Sequence, residues 1–290
     1  MDIERFVETR KRLGLAQSDL CDGICTQATL SRFENNGQVP NLKILIQLCN
    51  RLNLSLGELF PKVGVKNSEA VEKMNQVEFR LITSEFEQAR QLLATVNPKA
   101  LEEDSILDLR YHYLTGFLEI YAASPTMDIL FVFDQIITAE DHEDSEIFHL
   151  LAYTGVGMVY MREGDQDKAE FYFQKVLERI YEYPNRSIED TWRVLHILFQ
   201  TAVFYSEIDE IEASDVLCHY AITICSDNHV TYYLARAAIQ LAKNAIKQAA
   251  PVHEILELIH DARAYSKINR NQVALVELKK MEESLKQEEK

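Results

Sequence analysis

The sequence predicts an all-α protein made of two helical parts. Three observations carry that prediction. Apolar residues recur every three or four positions along almost the whole chain, the spacing that lays one apolar stripe along a helix. Nine glycines and six prolines in 290 residues leave little turn chemistry for a β-rich fold. The breakers that are present fall at Asn97-Pro98, Ser124-Pro125, Glu163-Gly164-Asp165, Tyr183-Pro184 and Ala250-Pro251, and they cut the C-terminal part into helix-sized pieces.

The length suits two domains. The pattern divides them into residues 1–62 and 69–290, joined by a linker over 63–68 that contains Gly64. The net charge is −16, and it is unevenly shared. Residues 1–62 carry eight Lys/Arg against seven Asp/Glu, which leaves 22 against 39 for the remainder. A nucleic acid would be repelled by the second part and tolerated by the first, so the charge says which end can bind DNA. No apolar run reaches the roughly 18 residues of a membrane span. MDIERFVETRKR lacks a signal peptide's apolar stretch, so a cytoplasmic protein without membrane contact is expected. The five cysteines include no CxxC pair. Cys21 and Cys25 straddle a glycine turn with no histidine near them in sequence, so reduced core thiols are expected rather than a metal site. Cys49 is expected to pack in the core; a bridge to a second subunit is the alternative. No cofactor is implied, and no Ser/His/Asp set, phosphate loop or zinc motif suggests an enzyme.

In the N-terminal part, Ile3, Phe6, Val7 and Leu13 mark a first helix stopped by Gly14. Gln17–Asp22 forms a short second helix with Leu20 and Cys21 inward. Gly23 permits the tight turn that a steep helix pair needs. Thr26 caps a third helix, Gln27–Glu34, whose Leu30 and Phe33 point into the core. That leaves Gln27, Ala28, Thr29, Ser31 and Arg32 on its leading turn or outer face. Glutamine can bond adenine bidentately, Ala28 or Thr29 can touch a thymine methyl, and Arg32 suits guanine or phosphate. Asn36, in a loop with Asn35 and Gly37, and Lys43 on the fourth helix suit phosphates, with Thr26 beside them. Gln17 is expected to brace Gln27 and bond a phosphate. The fourth helix, Leu42–Leu52, buries Leu45, Leu48, Cys49 and Leu52, and Ser55 with Glu58 suggests a last short helix.

Residues 5–60 resemble the lambda-repressor-like (XRE-type) helix-turn-helix family at Arg10, Leu15, Gln17, Leu20, Gly23, Ile24, Ser31, Arg32, Glu34, Asn35, Pro40, Leu42 and Leu59. The resemblance implies a structural ion bridge between Arg10 and Glu34. The turn is one residue shorter than the common pattern, because GIC-TQATLSRFE follows directly on Asp22. That shortened form resembles the Rgg/PlcR-like (RNPP) regulators of Gram-positive bacteria.

The C-terminal part carries a repeat. In YTGVGMVYMREGDQDKAEFYFQKV, residues Tyr153, Gly157, Tyr160, Gly164, Ala169 and Phe173 sit at the offsets of a tetratricopeptide repeat (TPR). Small Gly157 and Ala169 let paired helices cross closely, and the large residues fill the gaps. Ala202, Tyr205, Asp209, Ser214, Cys218 and Ala221 occupy corresponding places, while Val77–Leu93 and Leu114–Ile137 match loosely. A TPR-like α-solenoid of five or so helix pairs is expected. Its first helices line a concave groove suited to a peptide. Inward-aimed residues are His112, Thr115, Thr154, Met158, Arg193, His196, Phe199, Arg236, Gln240 and Asn244. Asn, Gln and Arg can satisfy a peptide backbone, while Met and Phe can receive its side chains. An acidic turn around His142 is expected to be solvated rather than metal-binding.

These readings favour a sequence-specific transcriptional regulator whose partners are double-stranded DNA, a short signalling peptide and a second copy of itself. The RNPP resemblance implies a homodimer on a near-palindromic operator. It also implies quorum sensing through a secreted pheromone that is re-imported and bound in the groove. The alternative is a scaffold or adaptor whose repeats hold a protein partner.

Overall fold

The computed structural model describes residues 3–52, 54, 67–101, 104–140, 145–183 and 187–288. Among these residues there is no strand. The chain falls into two compact units, Met1–Ser68 and Glu69–Lys290. Of the expected linker over 63–68, residues 63–66 lie outside the described residues, and Ser68 already opens a helix; the expected short helix at Ser55 and Glu58 and the turn at His142 also lie outside them.

The first unit holds four helices: α1 (Ile3–Arg12), α2 (Gln17–Cys21), α3 (Gln27–Asn36) and α4 (Leu42–Arg51). Its core joins Phe6, Leu20, Leu30, Phe33, Leu45, Leu48, Cys49 and Leu52, all almost without exposed surface. Phe6 and Phe33 meet edge to face at 5.0 Å, which fixes α1 against α3. The turn between α2 and α3 depends on Gly23 at φ +69°, a conformation that L side chains resist. Arg51, at the end of α4, closes that turn by donating from Nη1 to the carbonyls of Leu20 (3.2 Å) and Asp22 (2.5 Å). Those carbonyls lie at the end of α2, where a helix leaves acceptors unpaired.

Three expectations for this unit need correction. Leu13 is half exposed, because α1 instead buries Thr9 and the shaft of Arg10. The third helix runs two residues past Glu34, to Asn36, and ends at Gly37 in the left-handed region. The Gly37 and Gln38 amides then donate back to Phe33 and Arg32, so Asn35 and Asn36 stand in the helix's last turn rather than in a loop. Gln17 does not brace Gln27; its side-chain amide donates to Glu34 at 2.8 Å.

The second unit is a stack of helix pairs: α5 (Ser68–Ile82) with α6 (Phe86–Leu93), α7 (Ser105–Tyr121) with α8 (Thr126–Ile137), and α9 (Glu146–Arg162) with α10 (Gln166–Ile180). It continues with α11 (Ile188–Glu207) and α12 (Ile211–Asp227), then α13 (Tyr232–Lys247) and α14 (Val252–Ile268), and ends on α15 (Gln272–Glu288). First helices stack on first helices, α7 on α9, α9 on α11 and α11 on α13, so they form one layer. One continuous apolar core runs from Met74 to Leu241, and a smaller one joins α13, α14 and α15. The tight crossings rest on glycine. A Cβ on Gly157 would lie 2.8 Å from the ring of Phe173, and one on Gly155 only 2.1 Å from Phe133. Tyr153 and Tyr160 do not fill the core as expected. They stay half-buried against Tyr172, whose ring stacks on Tyr160 at 5.8 Å.

Candidate functional site

On the first unit, α3 is held by its rear face and leaves its front face open. Thr26 caps it, with Oγ1 accepting from the Thr29 amide at 3.3 Å. Behind it, Glu34 accepts from Arg10 Nε (2.7 Å) and Nη2 (2.8 Å) and from Gln17. Arg10 also reaches the carbonyl of Leu15 at 2.8 Å, so one guanidinium ties α1, the loop before α2 and α3 together. Hydrogen bonding to Glu34 raises the Arg10 pKa above its ordinary value despite partial burial. Gln27, Ala28 and Arg32 stand exposed on the open face, and Thr26 and Lys43 are exposed beside it. Thr29 is half-buried and shares a hydrogen bond with Thr26 Oγ1 at 2.9 Å. Ser31 accepts from Asn35 at 3.1 Å. The backbone of Asn36 lies in the last turn of α3, and its side chain is outside the described residues.

On the second unit, the layer of first helices curls until α5 meets α11 and α13. Glu78, on α5, is the centre of that contact. Its Oε1 accepts from Arg193 Nε on α11 (2.8 Å) and from the Tyr113 hydroxyl; its Oε2 accepts from Arg110 Nη2 (2.5 Å) and Arg193 Nη2 (3.2 Å). Burial alone would push this carboxyl up. The charges of Arg193 and Arg110 and the hydrogen bonds from Arg193 and Tyr113 hold it below the usual range, so it is ionised. Burial and the neighbouring carboxylate together push the Tyr113 hydroxyl well up. Arg193 also pairs with Asp190 at 3.2 Å and lies over the Phe148 ring. Further along, Arg236 on α13 donates from Nη2 to the carbonyl of Ile82 (2.8 Å) and to Ser84 Oγ (2.7 Å), and rests over Phe199 and Tyr233. His196 shares a hydrogen bond with the Tyr233 hydroxyl at 3.0 Å; burial and then Arg236 bring its pKa down to about 3, so it is neutral.

Residues 8–59 match the helix-turn-helix family model. The N-terminal unit is a helix-turn-helix domain. Around that domain, the chain is 21% identical over 276 residues to the transcriptional activator NprA of Geobacillus stearothermophilus, a match covering 90% of this chain and 64% of NprA. The chain thus spans less than two thirds of that relative. Among solved structures it is similar to PlcR of Bacillus thuringiensis in complex with the peptide PapR7 and DNA, with a TM-score of 0.59 at 15% identity, covering 95% of this chain and 98% of PlcR. It is similar also to ComR of S. thermophilus in complex with DNA and its signalling peptide ComS, with a TM-score of 0.57 at 15% identity, covering 95% and 96%. At that identity the likeness establishes the fold: a helix-turn-helix domain followed by a helical repeat.

Beyond the helix-turn-helix domain, the groove residues separate into two sets. Arg193, His196, Phe199 and Arg236 lie with Tyr233 on the layer of first helices, where they hold other parts of the chain. The rest are tied elsewhere. Thr115 and Thr154 donate to the carbonyls four residues back, Tyr111 and Leu150, and Met158 is buried. His112 Nδ1 shares a hydrogen bond with the Asp108 carbonyl at 2.9 Å. Gln240 donates to Asn244, which in turn reaches Ser214 and Asp215 on α12, so this pair fastens a helix crossing. Glu78, Arg110, Tyr113 and Tyr233 were not among the sequence candidates. The one signal was Glu78 itself, a charged residue inside the stripe Met74, Val77, Leu81. No group of three or more His, Cys, Asp or Glu among the described residues is placed to hold a metal.

Proposed function

We propose that this protein is a sequence-specific DNA-binding transcriptional regulator controlled by a short signalling peptide bound on the concave side of its repeats. The observation that carries the proposal is α3. Its front presents Gln27, Ala28 and Arg32 to solvent while Arg10, Gln17 and Glu34 lock its back. A rigid helix with an amide, a small apolar group and a guanidinium on its leading turns suits base edges in a major groove. Thr26, Thr29, Ser31, Asn36 and Lys43 are assigned to the same interface. Gln17 spends its amide on Glu34, so we give it a supporting role.

The peptide assignment rests on Arg193, His196, Phe199 and Arg236, which combine charged donors with aromatic faces on one concave layer. The similar PlcR and ComR structures hold both DNA and a peptide, which favours the regulator over an adaptor. A homodimer would place two α3 helices in successive major grooves, about 34 Å apart, on a near-palindromic site. Mobility shifts on DNA selected from a random pool test the proposal. Specific binding lost in Gln27→Ala and Thr29→Ala supports it. Binding that ignores sequence, or none, rejects it.

A further inference from the structure

We propose that Arg193, Arg110 and Tyr113 form a carboxylate-binding site which the chain's own Glu78 fills in the absence of ligand, and that the free carboxylate of a bound peptide takes Glu78's place. This rests on the concave-groove reading above and names the chemical group the groove selects.

Two guanidiniums and a phenol converge on one carboxylate, each oxygen accepting twice. Nε and Nη2 of Arg193 form the two-pronged fork that any carboxylate fits, whether it belongs to Glu78 or to an incoming chain end. Glu78 leaves a surplus of polar atoms around it unserved. Arg110 Nε, Trp192 Nε1 and His196 Nε2 are buried without a hydrogen-bond partner among the described residues. Such atoms are costly to leave unpaired, and three around one centre are unusual. Trp192 and His196 border the same small cavity as Glu78, Arg193, Tyr113 and Tyr233. A glutamate ends at its two oxygens. A peptide terminus brings a carboxylate together with an amide N–H and a carbonyl, which is what the indole and imidazole nitrogens lack.

The cavity has about 10 Å³ of free room, enough for a single water. A peptide end therefore cannot enter beside Glu78, but it can enter in its stead. Exchange would also have a consequence along the chain. Glu78 and the Ile82 carbonyl anchor α5 to α11 and α13, and α5 starts at Ser68, where the helix-turn-helix unit ends. A ligand that frees Glu78 thus releases α5 from α11 and α13. It binds the two arrangements unequally, as any switch requires.

The test uses the full chain and sodium propionate as the probe, at fixed ionic strength, with sodium chloride and neutral propionamide as controls. Trp192 is the only tryptophan and borders the cavity, so its emission reads the site, and Tm reads the repair. Glu78→Ala should bind propionate saturably with a rise in Tm, at an apparent Kd at least about tenfold below that of the unaltered chain. Glu78→Gln should fall between the two, because a neutral amide competes less well for the arginines. The gain should vanish when Arg193→Met is added. A propionate response in Glu78→Ala no larger than that of chloride or propionamide overturns the proposal. If Glu78→Ala does not fold, Glu78→Gln decides, and an affinity equal to that of the unaltered chain overturns it. A second arm uses native mass spectrometry with short random-sequence peptides, half ending in a carboxylate and half in an amide. Enrichment of free carboxylates that disappears in Arg193→Met supports the exchange, and equal capture of both overturns it. Neither arm contains DNA, so a chain that fails to select an operator would reject the regulator reading without affecting this result.

Discussion

Replacing Glu34 with alanine should unfold the helix-turn-helix unit while leaving the repeats intact. The Glu34 side chain is 3% exposed and that of Arg10 10% exposed, and the pair is joined by two short hydrogen bonds. Removing one member of a buried pair leaves the other charge uncompensated, which typically costs about 3–5 kcal/mol. Gln17 loses its acceptor as well, adding about 1 kcal/mol. A unit of this size has roughly 3–9 kcal/mol in total at typical stabilities per residue, so most of it would be lost. Hydrogen exchange followed by mass spectrometry on the full chain separates the units. In Glu34→Ala, peptides from residues 3–52 should lose protection, while those from α9, α11 and α13 keep it and Trp192 emission stays unchanged. Arg10→Met combined with Glu34→Leu should recover part of the protection, because no charge is then left buried. A loss of under about 1 kcal/mol in Glu34→Ala would show that the pair is solvent-screened and would refute the reasoning.

Other substitutions and a pH series follow from the same geometry. Gly155→Ala drives a methyl into the ring of Phe133 and should cost about 1–3 kcal/mol, read as a lower urea midpoint of the repeat unit; an unchanged midpoint would mean the crossing can widen freely. Burial holds His196 down at about 3 against an ordinary value of 6.5, so the unfolded chain binds the extra proton between those values. Stability should therefore fall as pH drops from 6.5 toward 4, and His196→Gln should flatten that slope; an unaltered slope would place its origin elsewhere. Cys49 is 1% exposed in the helix-turn-helix core, so non-reducing gels of the native chain should show no disulfide-linked dimer; one that disappears in Cys49→Ser would contradict this packing.

The helical periodicity made the four helices of the first unit legible, because its turns use Gly14, Gly23 and Gly37 and its third helix is capped by Thr26. The Arg10–Glu34 bridge came from family likeness, and the structure contains it. Helix ends in the repeats were harder to read. Ser84, His229 and Arg270 close α5, α12 and α14 in the left-handed region without a glycine or proline to announce it. There the next amide reaches back five residues, as Glu85 does to Arg80 and Val230 to Cys225, and the hydrogen bond outweighs the strain on the side chain. The contacts of α5 with α11 and α13 were the least legible part. Helical spacing identifies which face of α11 points inward, and so finds Arg193 and His196. It does not say that Glu78, 115 residues earlier, will arrive to meet Arg193. That encounter depends on how far the solenoid curls, a sum of small rotations at each crossing. Gly155 contributes to it through a contact with Phe133 that no local pattern marks.

The most direct test of the regulator reading is selection of DNA from a random pool by the full-length chain, with and without Arg32→Ala and Gln27→Ala. Two related half-sites whose centres lie about 10 base pairs or a multiple apart should be enriched. Each variant should relax the preference at particular bases while leaving non-specific affinity largely intact. A pool that stays random after selection, or a motif that both variants select unchanged, would contradict base reading by α3.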